Sequence, residues 1–169
     1  MGMIDIQPAA MKEEFQKAGL IADIQKSDQG EEKLVLPLTY DAKGRARALL
    51  LSVYRPPFSK EQKETKDEQY NLQFLQFFIP IPIPIIDNQM DEMMRLLNML
   101  NTVSELPGFF ILENDRVPFF RYNMTCTGNK VDSNLLVMTV GLLLYILEKY
   151  SDIIDKIASG SKRLSELES

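Results

Sequence analysis

Residues 70–85 read YNLQFLQFFIPIPIPI. Side chains alternate across a strand. Tyr70, Leu72, Phe74 and Phe78 therefore share one face, and Leu75, Phe77 and Ile79 the other. The polar residues Asn71, Gln73 and Gln76 are too few to keep either face wet. A strand apolar on both faces asks for cover on both sides of its sheet. The prolines then limit its pairing. In an extended run, Pro80, Pro82 and Pro84 withdraw N–H donors from one lateral edge, while the isoleucines keep theirs on the other. Such a segment is an edge strand or a polyproline-like exit from the sheet. The PxxP spacing wanted by proline-reading domains is absent.

The pattern continues downstream. Asp87 or Asn88 is placed to cap a helix carrying Asp91 and Glu92 near its N-terminus, where the helix dipole favours acids. Met90, Met93, Leu97 and Leu100 form its apolar stripe, widened by Leu96, Met99 and Val103. Pro107-Gly108 follows its end. Phe109 to Leu112 and Val117 to Cys126 form a hairpin about Glu113-Asn114-Asp115. Asp132 or Ser133 caps a last helix, apolar nearly all round from Leu135 to Leu147 and amphipathic beyond, with Gly160 as its stop.

Upstream, Pro8 to Ala18 has helical spacing at Met11, Phe15 and Ala18. Ile21 to Gln25 is a short strand candidate. Lys33 to Tyr40 and Arg45 to Arg55 are two strands about a tight turn at Asp41 to Gly44. Pro56 to Gln69 carries mixed charge without an apolar stripe, as a solvated loop does. The expected fold class is α+β, an antiparallel sheet of about five strands with helices packed on it, in the order α-β-β-β-α-β-β-α. One domain is expected over residues 1–160, with a flexible tail at 161–169.

Composition narrows the function. The net charge is −5 and no basic block occurs, which argues against nucleic acid and against an anionic membrane surface. The chain has no histidine, which removes histidine triads and histidine metal sites. Its one cysteine, Cys126, makes an intrachain disulfide impossible. No charged leader precedes an apolar run, and the uncharged stretch from Asn134 to Leu147 is too short to span a bilayer. A cytoplasmic protein without metal, cofactor or catalytic residues is expected. Neither a Gly-rich phosphate loop nor a Walker pattern occurs.

Four methionines, Met90, Met93, Met94 and Met99, crowd one helix. Methionine suits a groove that adapts to varied apolar partners, and equally suits a core. Gly141 sits in the most apolar helix, where glycine costs about 1 kcal/mol against alanine. Close approach of a second helix or close packing on the sheet would offset that cost. Together with Leu136, Val140 and Leu144, these residues are the expected partner or dimer surface. Glu113 and Asp115 are expected on a solvated turn, and Cys126 at a strand end in the core.

The element order resembles the type III secretion chaperone-like fold, and within it the YbjN-like family. The likeness is carried by Leu97-Asn98-Met99-Leu100-Asn101, by Phe109 to Asp115, by Val117-Pro118-Phe119-Phe120-Arg121-Tyr122, and by the apolar helix with Leu142 to Leu147. Asn101 and Arg121 match the family's pattern, as a polar ligand pair or a structural pair. The resemblance implies a dimeric, non-enzymatic protein with no catalytic residues. Secretion chaperones bind an extended segment along apolar patches, while YbjN-like proteins are regulatory or sensory. The expected partner is therefore a second copy of the chain, with another protein or peptide beside it. The alternative is a small-molecule sensor using Asn101, Arg121 and Tyr122.

Overall fold

The structure, a computed structural model, describes residues 2–55, 72–112, 114 and 116–167. The charged loop expected at Pro56 to Gln69 and the acidic residues Glu113 and Asp115 lie outside them.

The chain is α+β. Its elements are β1 (Met3–Asp5), α1 (Pro8–Lys17), β2 (Asp23–Lys26), β3 (Glu32–Pro37), β4 (Ala48–Tyr54), β5 (Leu72–Pro80), α2 (Met90–Val103), β6 (Phe109–Leu112), β7 (Val117–Thr127), β8 (Lys130–Asp132) and α3 (Ser133–Ala158). The sheet has eight strands in the order β1-β8-β7-β5-β4-β3-β2, with β6 paired to β7. This corrects the expected five. The additional strands are β1 and β8, which the sequence did not suggest, and β2, which overlaps the short strand candidate Ile21 to Gln25. Two of them have only three residues and β2 is largely polar, so none shows a two-residue alternation. Strand β1 pairs antiparallel with β8, Ile4 facing Val131, and β2 pairs with β3, Ile24 facing Leu34.

The chain divides into two compact units. The first comprises residues 1–37, 48–77 and 123–141; the second comprises 38–47, 78–122 and 142–169. Strands β5 and β7 and helix α3 each run through both.

In the first unit α1 packs against β1, β2 and β3. Met11 and Phe15, one helical turn apart, are buried there, as are Leu34, Leu36, Leu49, Leu51, Leu75 and Phe77. Alternation places these strand residues on one face of the sheet. The opposite face is half-exposed at Leu72, Phe74 and Gln76, and Tyr54 lies against Phe74 with ring centroids 6.3 Å apart. Cover on both sides is thus incomplete, and aromatic side chains shield part of the second face. Cys126 is buried, as expected. Burial pushes its thiol pKa up, only partly countered by a backbone hydrogen bond from Leu75.

In the second unit the proline run leaves the sheet. Strand β5 ends at Pro80. The Ile81 N–H still donates to the Pro118 carbonyl at 2.9 Å, and that of Ile83 turns back to the Ile81 carbonyl at 2.7 Å. Strand β5 has β7 on one side and β4 on the other, so the edge-strand reading falls and the exit reading stands. Ile81, Ile83 and Ile85 are all buried. The proline spacing therefore serves a segment beyond the strand that turns Ile81, Ile83 and Ile85 inward.

Helix termini differ in detail. Asp132 Oδ1 accepts from the Leu135 N–H at 2.9 Å, so Asp132 caps α3. Neither Asp87 nor Asn88 caps α2. They belong to a single 3-10 turn, Asp87–Gln89, that leads into it. Residues 164–166 form another such turn, and the Leu164 N–H donates to Glu92 at 2.9 Å. No helix among the described residues is long and apolar enough to cross a membrane.

Two glycines have opposite surroundings. A Cβ on Gly108 would stand 2.6 Å from the Phe120 ring and 2.7 Å from the Arg121 carbonyl oxygen. A Cβ on Gly141 would meet nothing within 4 Å. Among the described residues, then, nothing requires a glycine at 141 for space. Gly108→Ala should cost about 1–3 kcal/mol by overpacking. Gly141→Ala should stabilise by up to about 1 kcal/mol through helix propensity. Urea midpoints of the two variants test both signs.

Candidate functional site

Strand β6 is a four-residue apolar run, Phe109-Phe110-Ile111-Leu112, paired on one side only. Its register with β7 sets Phe109 against Phe120, Phe110 against Phe119, Ile111 against Pro118 and Leu112 against Val117. The Arg121 N–H donates to the Gly108 carbonyl at 2.8 Å. Hydrogen-bonded pairs alternate in an antiparallel ladder, so Phe110 bonds to β7 while Phe109 and Ile111 point their backbone groups outward. Pro118, which has no N–H, stands opposite Ile111, where none is needed.

Asn101 of α2 answers the outward groups of Phe109. Its Oδ1 accepts from the Gly108 N–H at 2.9 Å and from the Phe109 N–H at 2.8 Å. Its Nδ2 donates to the Phe109 carbonyl at 2.7 Å. The two N–H groups dictate which end of the amide faces them. Asn101 thus does a structural task. Arg121 does not join it. The Arg121 guanidinium lies 5.0 Å from the centroid of the Phe110 ring, a cation–π contact.

Side chains alternate on β6. Phe109 is buried, edge-on to Phe120 at 4.8 Å and to Tyr150 at 5.8 Å. Phe110 and Leu112 face outward, 41% and 52% exposed. Phe110 stacks on Phe119 at 5.7 Å, and Phe119 meets Phe78 at 5.1 Å. Phe110 is therefore the open end of an aromatic row whose Phe119 is buried and whose Phe78 is half-buried, and Leu112 and Val117 are exposed beside it. Beside it, Met94, Leu97 and Asn98 of α2 and Phe110 and Ile111 of β6 line an open hollow of about 280 Å³.

The methionines separate. Met93 is in the core, Met90 and Met99 are half-buried, and Met94 reaches the surface. On α3, Leu136 and Val140 are buried within the chain, which takes both out of the expected partner surface. Leu144 is half-buried and Gly141 exposed. The α3 residues that do stand in solvent are Leu135, Met138 and Tyr145. An unbroken apolar run in a single-sided strand was the available signal for Phe110 and Leu112. For α3, the helical period at 3.6 residues separates Leu136, Val140 and Leu143 from Leu135 and Met138.

A second cluster is ionic. The segment Leu38–Arg47 folds onto α3 in the same unit. Asp41 accepts from the N–H groups of Lys43 and Arg45, each at 2.9 Å, and from Arg45 Nε at 2.5 Å. Arg45 Nη2 also donates to Asp155 at 2.8 Å, and Lys43 pairs with the same carboxylate. The buried Arg47 donates to the Thr39 carbonyl at 2.8 Å and pairs with Glu148. Burial alone would push the Asp41 and Asp155 carboxyls up. Hydrogen bonds outweigh it, from Arg45 and Lys43 in both cases, and hold both below the usual carboxylate range. These groups are consumed by one another, as structural ion pairs are. Among the described residues no group of three or more histidine, cysteine, aspartate or glutamate side chains is placed to hold a metal ion.

No family model and no curated protein matches this chain.

Two outcomes are expected. Asn101→Ala strands two N–H groups and a carbonyl and should cost about 2–3 kcal/mol in denaturant unfolding. The carboxylates of Asp41 and Asp155 are depressed in the folded state. Their contribution is therefore whole above the unfolded value of about 3.9 and is lost as pH falls through the folded value. Asp41→Asn should flatten the acid limb of a stability-against-pH curve and leave its slope near neutrality unchanged.

Proposed function

We propose that this chain is a non-enzymatic protein-binding module of the secretion-chaperone-like class, close to the YbjN-like family, acting in the cytoplasm as a homodimer. One observation carries the reading: large apolar side chains stand in solvent on regular elements, with Phe110 and Met94 lining an open hollow in one unit and Leu112 exposed on the same strand as Phe110. Isolated exposed apolar residues are ordinary, but a contiguous group marks an interaction surface. A hollow of about 280 Å³ sits just below the range of about 300–1,000 Å³ usual for small-molecule pockets. It suits one or two side chains of a larger partner.

The dimer has separate support. In the first unit, Leu135, Met138 and Gly141 follow one another at helical spacing on the solvent side of α3. Met138 is 69% exposed, and the glycine leaves room for a second helix to approach. Light scattering on a gel-filtration column tests this. Twice the chain mass of 19.4 kDa is expected, falling to 19.4 kDa for Met138→Glu. A wild-type monomer at every concentration would refute the dimer.

The sensory reading retains one observation. In the first unit, Asp5, Arg55, Gln73 and Asn129 line a hollow of about 360 Å³, with the buried Gln73 donating to Asn129. Thermal-shift screening separates the readings: metabolites stabilise a sensor, and apolar peptides stabilise the module.

A further inference from the structure

We infer that the Phe110–Arg121 strip receives a peptide in which a large apolar side chain is flanked by carboxylates. The inference rests on the protein-binding reading and names its partner by chemistry.

Charge decides between peptides. Arg121 is exposed, lies over the Phe110 ring, and has no carboxylate partner among the described residues. Elsewhere in this unit Arg116 pairs with Asp87, Lys149 with Glu105 and Arg45 with Asp155, while Arg95, also exposed and without a carboxylate partner among the described residues, neither lies over an aromatic ring nor lines the hollow. A guanidinium laid on an aromatic face keeps its rim N–H groups for a carboxylate, the bidentate arrangement arginine favours. The chain as a whole is acidic, at 24 acidic against 19 basic residues. An acidic peptide is therefore repelled over most of the surface and attracted at Arg121, which localises it. A basic peptide gains at many places and is not directed here.

The apolar half of the match is the hollow beside Phe110. Met94 gives its wall a side chain that adapts to different occupants. The backbone contributes little. Asn101 already saturates Phe109, which leaves Ile111 as the one β6 residue whose outward N–H and C=O a peptide can reach. Recognition then rests on side chains rather than on an added strand.

The test uses the full chain and short fluorescent peptides in which Leu and Phe alternate with Glu, with Ser or with Lys. The Glu series should bind about tenfold more tightly than the Ser series, and rising salt should erase that advantage. Arg121→Gln should weaken the Glu series about tenfold and leave the Ser series unchanged. Phe110→Ala should weaken both. Both residues are at the surface, and unchanged thermal melting verifies folding. Equal binding of the Glu, Ser and Lys series, still lost in Phe110→Ala, overturns the acidic partner and keeps the protein-binding reading. Binding unaffected by Phe110→Ala overturns the site. Dissociation of a dimer by Phe110→Ala would make the strip a contact between copies and would also overturn the inference.

Discussion

The carboxamide of Asn101 stands in for a missing strand. An edge strand presents unpaired N–H and C=O groups, and each one left dry costs free energy comparable to a lost hydrogen bond. At Phe109 both are answered by one side chain that offers an acceptor and a donor in the geometry of a peptide group. Once Phe109 is held, its ring turns inward to Phe120 and Tyr150. The next residue must then turn outward. The exposure of Phe110 follows from the fixing of Phe109, so a structural hydrogen bond sets up the candidate surface.

The ionic cluster has a different task. The turn at Asp41 to Gly44 places Asp41 where it gathers its own neighbours, Lys43 and Arg45, before Arg45 and Lys43 reach Asp155. The buried guanidinium of Arg47 is satisfied by the carbonyl and hydroxyl of Thr39, the carbonyl of Tyr40 and the carboxylate of Glu148. A buried charge is tolerated when it is this fully bonded. The arrangement fastens a segment that has few large apolar side chains of its own.

Much of the fold was legible because long elements carry their period openly. Helices α1, α2 and α3, strands β3 to β5 and the β6–β7 hairpin all have enough residues for a two- or 3.6-residue repeat to show. The three-residue strands β1 and β8 do not, and their pairing joins residues near position 4 to residues near 131. The candidate surface was half legible. Asn101 stood out only through the resemblance, and Met94 as one of a crowd. Which methionine reaches solvent depends on where the helix is seated, which the sequence does not record. The α3 surface failed for the same reason: a helix apolar all round does not announce which arc faces inward, and Leu136 and Val140 lie on the inner one. The ionic cluster joins residues more than a hundred positions apart and left no local trace.

The lone thiol has a practical consequence. Cys126 is shielded, and its thiol is held in the unreactive protonated form by its surroundings. An alkylating reagent can reach it only when that part of the sheet opens. With no other thiol in the chain to compete, the speed of alkylation in native buffer becomes a clock for that opening, read from the untouched polypeptide without a probe having to be built in.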